Sequence, residues 1–71
     1  MSEDVNSTIR KYSLKNASEY GKANLNSVIG KVLGENPDFR ARANEIRSLA
    51  SSIVDEVNKK SESDVDAELG K

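Results

Sequence analysis

The chain has 71 residues, 35% hydrophobic and 32% charged, with a net charge of −1 and neither cysteine nor histidine. That length allows one domain with a small core, and the absence of Cys and His excludes a disulfide framework, thiolate metal sites and most acid–base templates, so no metal or catalytic residues are expected. No apolar run approaches the ~20 residues that span a bilayer, and the start "MSEDVNST" is acidic and polar where a signal peptide is basic and then apolar, so a soluble, cytoplasmic protein is expected.

Charge is graded along the chain. Residues 1–7 carry −2; residues 8–47 hold eight Lys or Arg against four Asp or Glu, a net +4; residues 48–71 carry −3. A basic middle between acidic ends suits either an ordinary solvated surface or contact with an anionic partner.

Helix 1 is expected over residues 4–20, where Val5, Ile9, Tyr12, Asn16 and Tyr20 recur at spacings of three and four. Gly21 then supplies the left-handed residue that ends it. Asn16 falls inside this apolar face and reads as a hydrogen-bonded core residue meeting a loop carbonyl, or as a functional contact. Leu14 lies off the face and reads as exposed. Helix 2 is expected over 24–33, with Asn24 as N-cap, Leu25, Val28, Ile29, Val32 and Leu33 on one face, and Gly34 as its stop.

Helix 3 is expected over 37–58. Asn36 is the candidate N-cap, Pro37 the first helical residue and Asp38 a first-turn acid, followed by Phe39, Ala43, Ile46, Ala50, Ile53 and Val57. "SESD", residues 61–64, resembles a capping box, and with Val65 and Leu69 it supports no more than a short, fraying fourth helix. The class is therefore all-α: a small three-helix bundle over residues 1–60 and a tail or linker over 61–71. Its expected core holds Ile9, Tyr12, Ile29, Leu33, Phe39, Ile46 and Ile53.

The stretch "GKANLNSVIGKVLGENPDFR", residues 21–40, invites a phosphate-loop reading. The spacing refuses it, because Leu25 and Val32 occupy the positions that must be Gly and Ser or Thr. A helix corner accounts for Gly34 to Pro37 but leaves Gly30 inside a helix, where glycine costs ~1 kcal/mol against alanine. Two readings of Gly30 stay open: close packing against helix 1 or helix 3, and close approach by a partner's backbone. A helix-turn-helix made by helices 2 and 3 is disfavoured, since Glu35, Pro37, Asp38 and Phe39 would face the bases, and no DNA partner is expected.

"VIGKVLGENPDFR", residues 28–40, together with "KYSLKNA", residues 11–17, resembles the N-terminal region of archaeal-type glutamyl-tRNA synthetases over about residues 5–60. Ser13 stands where alanine is usual, Asp38-Phe39 where Glu-Leu is more usual, and Ser61-Glu62 where Ser-Pro is usual. The resemblance implies a class I ligase that uses ATP and magnesium to attach glutamate to tRNA. It places that chemistry in another domain, because the signature motifs need histidines and a Lys-Met-Ser-Lys type loop; this chain has no His, and Met1 is its one methionine. The chain is thus expected to be part of an enzyme while carrying no catalytic residues or cofactor of its own.

Two surfaces could serve such an appended domain. Lys11 and Lys15 on helix 1, and Arg40, Asn44, Arg47 and Ser51 on helix 3, form polar stripes that read either as solvated faces or as tRNA-phosphate contacts, in which the Lys and Arg charges would meet phosphates. Leu14 and the Gly30 edge are the candidates for docking, against the remainder of the synthetase or another translation protein.

Overall fold

The computed structural model describes residues 5–60 and 62–70, and at Glu62 the backbone alone. The expected start of helix 1 at Asp4 and the Ser61 end of the capping box lie outside the described residues. Four α-helices succeed one another: α1, Val5–Tyr20; α2, Leu25–Glu35; α3, Ala43–Asn58; and α4, Glu62–Leu69. A 3-10 helix, Pro37–Arg42, leads into α3. No strand occurs among the described residues.

The all-α class holds, but α1 packs against α2, α3 and α4 alike, so the fourth helix joins the bundle. Val65 is buried beneath it and Leu69 packs on the same cluster. This overturns the reading of Leu14, which is only 5% exposed, because the α1 flank beyond the predicted stripe is covered by α4. Three polar residues of α1, Thr8, Ser13 and Asn16, are buried as well, so polarity hid how much of this helix faces inward. Tyr20, by contrast, was expected on the apolar face and stands 68% exposed at the end of α1.

Ile9, Val28, Val32, Ile46 and Val57 are the largest fully enclosed apolar side chains. Of the expected core, Ile29 is also buried, while Tyr12, Leu33, Phe39 and Ile53 are half-buried against the cluster. The radius of gyration is 11.6 Å, close to the ~11 Å of a compact chain of this length.

The helix ends show which polar groups set the corners. Gly21 has φ +88° and its N–H donates to the Ala17 carbonyl at 2.8 Å, closing α1 as its permissive backbone allows. Asn24 caps α2, its side chain accepting from the Ser27 N–H at 3.0 Å. The loop between them is fixed from both sides: Asn16 Oδ1 accepts the Asn24 N–H at 2.7 Å, and Asn58 clamps Ala23, accepting its N–H at 2.7 Å and donating to its carbonyl at 3.0 Å. Asn16 is thus the expected hydrogen-bonded core residue, but it meets a loop N–H in place of a carbonyl.

The second corner differs from expectation. α2 passes through Gly34 and ends at Glu35, where Asn36 donates both its backbone N–H and its side-chain amide to the Val32 carbonyl, each at 3.0 Å. A side chain turned back onto α2 cannot also cap the next helix, and Asn36 makes no side-chain cap bond there. The segment from Pro37 accordingly starts with i to i+3 bonding, the Phe39 N–H on the Asn36 carbonyl at 2.8 Å, and becomes α-helical only at Ala43.

Candidate functional site

The ten cations on described residues divide by whether a carboxylate already holds them. Arg10 on α1 is a hub: Nη1 meets Glu56 of α3 at 3.2 Å, while Nε and Nη2 donate to Glu68 of α4 at 3.1 and 2.7 Å. Lys60 reaches the other Glu68 oxygen at 3.2 Å. Hydrogen bonds from Arg10 first, and from Lys60 second, hold the Glu68 carboxyl below the usual carboxylate range, and the same Glu68 contact raises the Arg10 guanidinium. Arg42 grips Glu45 through two bonds of 3.1 and 2.9 Å, lowering that carboxyl in turn. Lys59 sits 3.4 Å from Asp55.

The side chains of Lys11, Lys15, Lys22, Lys31, Arg40 and Arg47 make no ion pair or hydrogen bond among the described residues, and all six residues are exposed. Every sequence-predicted phosphate contact falls in this free set. Lys11 and Lys15 line a cleft of about 230 Å³ between α1 and α2, joined there by Lys31 of α2, with Tyr12, Glu19 and Glu35 completing the walls.

Lys31 is the residue that sequence reasoning missed at this surface. The signal was present: α1 and α2 are joined by residues 21–24 alone, a short connection makes antiparallel neighbours, and residues 15 and 31 are nearly equidistant from that loop.

The flank predicted on helix 3 is altered. Arg40 belongs to the 3-10 helix Pro37–Arg42, which turns faster than an α-helix, while Asn44, Arg47 and Ser51 belong to α3, so the expected stripe is not carried by one continuous α-helix. Arg40 shares a shallow recess with Arg42, Asn44 and Glu45, whereas Arg47 lies further along α3 outside it. Of the docking candidates, Leu14 is covered by α4. Gly30 is exposed, and a Cβ built there meets nothing within 4 Å, so close packing against helix 1 or helix 3 does not explain it. Among the described residues no group of three His, Cys, Asp or Glu could hold a metal ion, and no helix is long and apolar enough to cross a membrane.

No protein-family model and no solved structure matches the chain. Curated proteins do. It is 48% identical over 68 residues to a glutamate–tRNA ligase of Thermococcus kodakarensis, a match covering 94% of this chain and 12% of the relative. A ligase of the same name from Pyrococcus horikoshii is 55% identical over 56 residues, 78% of this chain and 10% of the relative, and one from Methanobrevibacter smithii is 41% identical over 69 residues, 96% of this chain and 12% of the relative. The chain resembles one segment of archaeal glutamate–tRNA ligases. It spans about an eighth of their length, and the resemblance to glutamate–tRNA ligases runs through all four helices, since the longer matches leave almost none of the chain uncovered.

Proposed function

We propose that this chain is the N-terminal, non-catalytic helical region of an archaeal-type glutamate–tRNA ligase, a cytoplasmic enzyme that attaches glutamate to tRNA using ATP and magnesium, and that the region assists the enzyme by weak contact with tRNA phosphates. The observation that carries the reading is the 48% identity over 68 residues, nearly the whole chain, to a glutamate–tRNA ligase. The chemistry of the residues supports its non-catalytic part: without histidine, and with Met1 as its one methionine, the chain has nothing from which to assemble either signature motif. ATP and magnesium therefore belong to the remainder of the enzyme.

The tRNA-assisting part rests on charge. Lys11, Lys15, Arg40 and Arg47 are exposed and unpaired among the described residues, and long cationic side chains need only charge and reach to meet a phosphate backbone. A docking role through Leu14 loses its exposed anchor, since α4 covers that side chain.

The test is kinetic. Reversing Arg40 and Arg47 together to Glu in the full-length synthetase raises the KM for tRNA several-fold and leaves ATP and glutamate kinetics unchanged. The effect shrinks as salt rises, because screening already weakens these contacts in the parent. An unchanged tRNA KM at low salt refutes the role of these two arginines.

A further inference from the structure

We propose that the cleft between α1 and α2 is a phosphate-binding groove for the tRNA backbone, in which Lys15 and Lys31 hold one phosphodiester from opposite walls and Lys11 a neighbouring one. The proposal deepens the tRNA-assisting reading and rests on it.

Three lysines of two helices converge on one cleft of about 230 Å³. None of them has a carboxylate partner among the described residues, although Glu19 and Glu35 line the same cleft. Each glutamate lies four residues after a lysine of its own helix, Glu19 after Lys15 and Glu35 after Lys31. Because α1 and α2 are joined by residues 21–24 alone and run antiparallel, Glu19 falls towards that loop and Glu35 towards the far end, with Lys15 and Lys31 between them on the two walls.

Three lysines against two glutamates leave the cleft a net positive charge, and a phosphodiester seated between Lys15 and Lys31 is attracted by both. Lys11 sits one turn from Lys15, and such neighbours stand ~5–6 Å apart at Cβ, a spacing that lets the two lysines reach separate phosphates of one strand.

The chemistry favours a nucleic-acid backbone over a protein partner. Protein interfaces are built around aromatic and aliphatic anchors and are depleted in Lys and Glu, whereas this cleft offers three lysines, two glutamates and a half-buried Tyr12. A lysine ammonium is a compact charge that binds phosphate without demanding a fixed geometry.

The experiment titrates the 71-residue chain with a glutamate-accepting tRNA transcript at low salt, as wild type, as Lys15→Glu/Lys31→Glu and as the neutral Lys15→Gln/Lys31→Gln. Both positions are exposed, so circular dichroism is expected to be unchanged. The reversal weakens binding at least tenfold, and the neutral pair lowers the dependence of log K on log salt by about 1, for the one phosphodiester that the two lysines share. Amide resonances of residues 15 and 31 shift when tRNA is added to the wild type. If the wild type binds and both variants bind equally well, the groove is refuted while tRNA assistance through other cations survives. If the wild type itself does not bind, the groove and the tRNA-assisting reading fall together.

Discussion

Ser13 is fully buried in α1, and its hydroxyl has no hydrogen-bond partner. A hydroxyl moved out of water without a partner costs on the order of 1–3 kcal/mol, and serine is also a poorer helix former than alanine. Ser13→Ala should therefore stabilise the fold by about 1 kcal/mol, which for a domain of this size is roughly 4–8 °C in Tm. Thermal unfolding of the two proteins checks it; a lower Tm for the variant would mean that the hydroxyl is satisfied after all. The same substitution restores the residue usual at this position in the family that the sequence resembles. Single residues are legible where their role is local, as with Gly21 ending α1 and Asn24 capping α2. Asn36 is not, because two helix ends compete for one side chain, and sequence does not say which wins.

At the scale of elements, α4 depends on what holds it to α1. Val65 is buried beneath it, and Glu68 accepts from both Arg10 and Lys60. The contribution of Glu68 has a definite sign with pH. The hydrogen bonds from Arg10 and then Lys60 hold its folded pKa below the ordinary carboxylate value of 4.5, so the stabilisation is complete above that value and is lost as pH falls through the folded pKa. Glu68→Gln should lower the Tm near neutral pH and give a shallower loss of stability on acidification below about pH 4. A variant whose acid dependence matches the wild type would show that α4 is held by its apolar contacts alone. Neither α4 docking nor the burial of Leu14 is readable from periodicity: an eight-residue helix with two large apolar positions carries little signal, and Leu14 is buried only because that helix covers it. The 3-10 start of the third segment is hidden for a related reason, since Pro37 and Asp38 suit the first turn of either helix type.

Over the whole molecule the described cations divide by whether a carboxylate engages them. Arg10, Arg42, Lys59 and Lys60 are engaged by carboxylates, while Lys11, Lys15, Lys31, Arg40 and Arg47 remain free among the described residues. A count of net charge, −1, conceals this, because the acidic groups that balance the sum include those already committed to ion pairs. The stripes on helices 1 and 3 are visible in sequence, but the cleft is not, since it exists only once α1 and α2 lie side by side.

The most direct test of the account is the affinity of the 71-residue chain for a glutamate-accepting tRNA, measured across a salt series. Two to four phosphate contacts predict detectable binding at low salt, with log K falling against log salt at a slope between about −2 and −3.6. Failure to bind at low salt, or an affinity indifferent to salt, would contradict it.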